Sequence, residues 1–173
     1  MADLLILTAN ELKALNSLEW QAARRAARQQ PLTRLILRIF LQQGGPIPVE
    51  EIIAASPGAR PDALHDALIA LDDEDLVRVR AGQIDLAYPF SASPTPFVVR
   101  LPDGKERYAC CATDALGIAP MTGQTVQVRS RCHHCNAALT FPATLHGPGP
   151  EADGIMLWFG KRVDEQCKAF DSL

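Results

Sequence analysis

Tyr108-Ala109-Cys110-Cys111-Ala112-Thr113-Asp114-Ala115-Leu116-Gly117 is a helix-like stretch set among segments that read as strands. Taken as a helix from Tyr108 to Leu116, with Gly117 as its stop, it makes the second half of the chain an α+β domain. On such a helix Cys111 and Asp114 are three residues apart and Cys110 and Asp114 are four apart. Both thiols can then lie beside the carboxyl group. A thiol next to a proton carrier suits a nucleophile or a ligand for a soft metal. Cys132 and Cys135 follow in Ser130-Arg131-Cys132-His133-His134-Cys135-Asn136, so four of the five cysteines fall in one short window.

Strand signals surround this helix. Tyr88-Pro89-Phe90-Ser91 and Ser93-Pro94-Thr95-Pro96 form a proline-rich connector, Phe97 to Leu101 is an extended β-branched run, and Asp103-Gly104 marks a turn. After Pro120, Thr125 to Val128 alternates like a strand. Ala137 to Phe141 reads as its partner across the Cys132 to Asn136 turn. Leu145 to Gly154 is a loop, Ile155 to Phe159 is expected to be a last buried strand, and Val163 to Phe170 a closing helix. Met156, Leu157, Trp158 and Phe159 are expected in the core. The result is a small mixed sheet carrying the cysteine helix.

The first half is helical. Thr8 and Glu11 have capping-box spacing before an apolar stripe through Leu12, Leu15, Leu18 and Trp20. A second helix runs through Leu32, Leu35, Ile36, Ile39 and Phe40 to Gly44 and Gly45. Pro48 opens a short helix, Pro61 opens another with Leu64, Leu68 and Leu71 on one face, and two short strands joined through Ala81-Gly82 close the unit. That order predicts a winged-helix-like domain over residues 1–87, followed by a second domain over 88–173. DNA binding is not expected. The helix that would enter the groove carries Asp62, Asp66, Asp72, Asp73, Glu74 and Asp75, with His65 as its only potential cation, and would repel phosphates. Arg24, Arg25 and Arg28 read as a solvated flank.

Composition agrees with a globular chain. At 173 residues, 47% hydrophobic and net charge −3, it is long and apolar enough to build a core. There are 9 basic and 12 acidic residues before Tyr88 and 8 of each from there on, so neither half advertises nucleic acid. No apolar run reaches the roughly 18 residues of a membrane span, and Leu4 to Leu7 is too short for a signal-peptide core. A cytoplasmic location is therefore expected. In that compartment thiols stay reduced, and clustered cysteines read as catalytic or metal-binding.

Tyr88-Pro89-Phe90-Ser91, Tyr108 to Ile118 and the run from Thr125 that ends at Cys132 resemble the organomercurial (alkylmercury) lyases. That family joins an N-terminal winged-helix-like domain to a catalytic one. The resemblance covers the chain from about Pro31 to Phe159. It implies cleavage of a carbon–mercury bond by thiolates and a carboxyl group, as in mercury resistance, with mercury as substrate and product ion and no required cofactor. It assigns the nucleophile to Cys111, the proton carrier to Asp114 and a structural role to Cys132. The family's second catalytic cysteine lies near the last core strand, whereas Asp153 to Phe159 contains none. Cys110 or Cys135 would have to supply that thiol, and Cys167 could do so only if the last helix folds back.

Mercury(II) prefers thiolate sulfur, and protonolysis needs electron density on the metal while a proton reaches the leaving carbon. A thiol in the first turn of a helix is expected to have its anion favoured by the free amides there. Asp114 can take the thiol proton and pass it to carbon. The alternative is a non-catalytic module, with a regulatory role for the winged helix, in which Cys110, Cys111, Cys132 and Cys135 hold mercury or zinc. Cys132-x-x-Cys135 is half of a zinc site, with His133, His134 and His146 as further candidates. The expected partner is a small organometallic compound or a soft metal ion, not DNA or a membrane.

Overall fold

The computed structural model describes Ala26 and residues 30–157. The expected capping-box helix at Thr8, the Arg24, Arg25 and Arg28 cluster, the closing helix at Val163, Trp158, Phe159 and Cys167 lie outside the described residues.

Helix α1 (Pro31–Gln43) starts with proline at its first position, where the missing amide costs nothing. It buries Ile36 and Phe40 completely and ends at Gly44, whose φ of 82° suits glycine. Strand β1 (Ile47–Pro48), helix α2 (Val49–Ala54) and helix α3 (Pro61–Asp73) follow. In α3 the spacing of Leu64, Leu68 and Leu71 puts all three on the buried face. Strands β2 (Val77–Arg80) and β3 (Gln83–Ala87) are joined by Ala81 and Gly82, with φ of 49° and 74°. Two consecutive left-handed residues give the twist that a tight hairpin requires.

Strand β3 does not end the sheet. It pairs with β2 along one edge, while β1 and β4 (Phe90–Ser91) share the other. From β4 the sheet continues through β6 (Glu106–Ala109), β5 (Val98–Arg100), β7 (Val126–Arg131), β8 (Ala138–Thr144) and β9 (Gly147–Pro148). Every pairing among the described residues is antiparallel, where a mixed sheet is expected. The short connections explain it, since residues 101–105 and 132–137 span hairpins and are too short for parallel crossovers.

Helix α4 (Ala112–Thr122) packs its Ala115, Ile118 and Ala119 on the face formed by Val99, Val126, Val128, Phe141 and Ala143. These residues, together with Ile36, Phe40, Ile52, Leu68, Ile84 and Phe90, form one apolar cluster. The Phe40 and Phe90 rings stack at 6.1 Å. Burying each such side chain contributes about 1.5–3 kcal/mol. The cluster therefore joins both halves of the chain across the expected boundary at 87/88.

Two expectations are corrected. Tyr108 and Ala109 belong to β6, and helix α4 begins only at Ala112, continues through Gly117 and Pro120, and ends where Gly123 adopts φ 68°. The expected strand at Ile155 is replaced. A short 3-10 helix, Pro150–Ala152, and Gly154 at φ 80° turn the chain, Ile155 to Leu157 have no regular structure, and Met156 is 67% and Leu157 42% exposed. Only Ile155 packs against the core.

Candidate active site

Strand β6 delivers the cysteines, and its backbone is clamped before they arrive. The buried Arg107 guanidinium donates from Nε to the carbonyls of Phe40 at 2.8 Å and Leu41 at 3.0 Å, and from Nη1 to that of Glu106 at 2.7 Å. Those first two carbonyls belong to the last turn of α1, where that of Phe40 also accepts the capping Gly44 N–H at 2.9 Å, so a charged group adds a donor at the helix end. Thr95 Oγ1 donates to the Ala109 carbonyl at 2.6 Å and accepts the Phe97 N–H at 3.2 Å. The Cys110 N–H donates to the Pro89 carbonyl at 3.0 Å. Sequence reasoning missed these supports. Thr95 and Pro89 sit in a stretch read as a connector, and nothing local to Arg107 names its distant partners.

Beyond Ala109 the chain bends through Cys110 and Cys111, and Cys111, with φ and ψ of −148° and −179°, is the N-cap of α4. Cys110 is 3% exposed and packs with Leu86 and Tyr88. Cys111 is half-buried, and its thiol donates to Asp114 Oδ2 at 3.0 Å. Asp114 is the third residue of the helix, so thiol and carboxylate hold the two ends of a capping-box spacing. The structure thus hydrogen-bonds Cys111 to Asp114 and packs Cys110 with Leu86 and Tyr88, with neither thiol inside the helix itself.

The electrostatics oppose the expected thiolate. Burial, followed by the charge and hydrogen bond of Asp114, pushes the Cys111 thiol up to about 11, although the Asp114 and Thr113 amides pull the other way. Helix-end stabilisation of the anion is present but outweighed. Cys110 is driven still further up by burial and then by Asp114 and Cys111, with Arg78 opposing. Both thiols rest protonated at neutral pH.

Cys132 and Cys135 form a separate pair on the β7–β8 turn. Cys132 is half-exposed and Cys135 exposed, and neither is oxidised. The amides of Cys135 and His134, then the Cys135 thiol, hold the Cys132 thiol below its ordinary value. Among the described residues no group of three or more His, Cys, Asp or Glu side chains comes together as a metal site. A cleft of about 180 Å³ lined by His65, Leu68, Asp72 and Val79, and one of about 570 Å³ lined by Pro31, Leu35, Ala55 and Leu64, involve none of these cysteines. No helix among the described residues is long and apolar enough to cross a membrane.

Comparison with known proteins converges on one family. The alkylmercury lyase family profile matches residues 90–173. The chain is 35% identical over 102 residues to an alkylmercury lyase of Staphylococcus epidermidis, covering 59% of this chain and 44% of that protein. It is 34% identical over 109 residues to an alkylmercury lyase of Streptomyces lividans, covering 62% of this chain and 48% of that protein. It thus spans a little under half the length of these relatives. Among solved structures, one described as the mercury-bound form of MerB2 superposes with a TM-score of 0.54 at 18% identity, over 64% of this chain and 53% of that one, which supports the fold.

Proposed function

We propose, from the premise that residues 90–173 belong to the alkylmercury lyase family, that this chain cleaves carbon–mercury bonds with Cys111 and Asp114. The observation that carries the reading is the hydrogen bond from the Cys111 thiol to the Asp114 carboxylate at 3.0 Å. A resting thiol supplies both a sulfur and a proton. As sulfur bonds to the mercury of an alkylmercury cation, the thiol proton passes to Asp114. Asp114 then protonates the carbon, the electron pair of the carbon–mercury bond becomes the new carbon–hydrogen bond, and the hydrocarbon leaves. Mercury stays divalent on Cys111, so nothing is oxidised or reduced.

Protonolysis is favoured when a second thiolate pushes electron density onto mercury. Cys110 is directed into the Leu86 and Tyr88 cluster, so an added small-molecule thiol is the simplest second donor. Residues 88–173 would form the catalytic unit. Residues 1–87, with their helix, strand, helix, helix and hairpin order from Pro31 onward, would form a winged-helix-like unit packed on it.

The test is benzene release from phenylmercury in excess free thiol. Cys111→Ala should abolish it, and Asp114→Asn should lower it by about 10²-fold or more, the usual range for a lost proton-transfer group. Release that survives Cys111→Ala overturns the reading, and mercury retention with no hydrocarbon favours a binding module instead.

A further inference from the structure

We propose that Cys132 and Cys135 form a second, self-contained thiol site that clasps one soft, two-coordinate cation between their sulfurs. The turn that carries them is built from its backbone outward. The Cys132 N–H donates to the Ala137 carbonyl at 2.9 Å, and the Asn136 N–H donates to the Cys132 carbonyl at 2.8 Å. Asn136 adopts φ 59°, a left-handed conformation that asparagine tolerates, and Arg131 Nη1 donates to its carbonyl at 3.2 Å. The whole loop rides on the β7–β8 hairpin, paired continuously from Val126 opposite Ala143 to Arg131 opposite Ala138.

Within the loop, the Asn136 N–H to Cys132 carbonyl bond closes a single helix-like turn over residues 133–135, which sets side chains three positions apart, Cys132 and Cys135, on the same side. Both sulfurs are reduced and open to solvent. With metal–sulfur bonds near 2.3 Å, a linear bridge needs the sulfurs about 4.6 Å apart, a spacing within reach of side chains three apart on one turn. Zinc fits less well. It takes four ligands, and no third His, Cys, Asp or Glu joins this pair among the described residues. Binding costs each thiol its proton: two sulfur–hydrogen bonds are exchanged for two sulfur–metal bonds, two protons enter solvent, and the cation keeps its charge state.

The site has a neighbour that could fill it. Tyr108 of β6 and Arg129 of β7 both lie opposite Val98 of β5. Cys111 and Cys132 are each three residues further on, so the chain carries both toward the same end of the sheet from strands that flank a common partner. Resting on the proposed carbon–mercury cleavage, the cation the pair would receive is the mercury(II) freed at Cys111.

The experiment loads the reduced full-length chain with mercuric chloride, challenges it with increasing glutathione, desalts it and measures mercury per chain. Wild type and Cys111→Ala should hold one equivalent in common. Cys132→Ser and Cys135→Ser, exposed near-isosteric changes checked for native circular dichroism, should each lose that equivalent at on the order of 100-fold less glutathione, because a chelating second thiol acts at high effective concentration. Equal retention in both serine variants overturns the proposal, as does stoichiometric zinc in the purified chain that is lost in either of them. Benzene release is measured in parallel. Its absence alongside intact, Cys132-dependent mercury retention sinks the cleavage reading and leaves the clasp standing.

Discussion

Asp114→Asn should make Cys111 more reactive toward alkylation while lowering the proposed carbon–mercury cleavage. The substitution keeps the side-chain shape and removes the negative charge that accepts the thiol hydrogen at 3.0 Å. In the wild type the thiol stands at about 11, so at pH 8 about one sulfur in 1,000 is ionised. Burial is the largest cause of that rise and survives the substitution, while the charge and hydrogen bond of Asp114 do not. If losing them lowers the thiol by about one unit, the thiolate fraction rises about tenfold. The less basic thiolate is intrinsically about threefold slower, given a Brønsted slope near 0.5, which leaves a net gain of about threefold. An asparagine amide that donates to sulfur would lower the thiol further, so the expected gain at pH 8 is about 3- to 10-fold. The assay is iodoacetamide labelling from pH 7 to 10, read by fragment-resolved mass spectrometry to separate Cys110 from Cys111. Labelling at an equal or slower rate in Asp114→Asn would refute the claim that the carboxylate holds the proton on this sulfur.

Alkaline pH should weaken the fold through the same thiol. Its folded value is raised, so the native chain keeps a proton that the unfolded chain gives up: stability is intact below about pH 9 and falls as pH approaches 11. Two units correspond to about 2.7 kcal/mol at most, and partial solvent exposure reduces the expected loss to about 1 kcal/mol. Urea unfolding at pH 8 and 10.5 checks it, since Cys111→Ser should narrow the gap between the two pH values and an unchanged gap would count against it. Arg107→Met should cost about 2–3 kcal/mol at neutral pH, because the Phe40, Leu41 and Glu106 carbonyls lose a charged donor in a buried setting. A loss below about 0.5 kcal/mol in urea titration would show that water replaces the guanidinium without penalty.

The N-terminal elements were legible because their signals are local. Pro31 and Pro61 open helices, Gly44 stops one, and Ala81-Gly82 makes a hairpin. The start of α4 was misplaced because Tyr108-Ala109-Cys110 carries no breaker. The signal that would have found it is the Cys111-Ala112-Thr113-Asp114 spacing, a capping box in which cysteine stands where serine or threonine is usual. Beginning the helix at Tyr108 put Cys110 beside Asp114 on one helical face, whereas Cys110 precedes the helix and packs with Leu86 and Tyr88. The proline-rich run from Tyr88 read as a connector because proline breaks strands, yet Phe90 and Ser91 pair on both sides and Thr95 braces the Ala109 carbonyl. Such long-range roles leave no trace in local periodicity. The proximity of Cys111 to Asp114 was legible from spacing alone, but the direction of the thiol shift was not. It depends on burial supplied by elements distant in sequence.

The two thiol environments differ in a way that follows from backbone placement. Cys111 caps a helix whose third residue is acidic, so the free amides that would stabilise a thiolate compete with a carboxylate hydrogen-bonded to the sulfur, and burial tips the balance toward the thiol. Cys132 opens a turn whose amides meet its sulfur with no carboxylate opposing them and with solvent on the outer side. A sulfur that keeps its proton suits a step in which that proton must reach carbon. A sulfur whose thiol is held below its ordinary value, beside a second thiol, suits holding the cation that remains. Because β6 and β7 run alongside the same strand and end on the same side of it, one sheet presents both kinds of sulfur, and the difference between them rests first on burial, which Cys111 has and Cys132 lacks, and then on the carboxylate of Asp114.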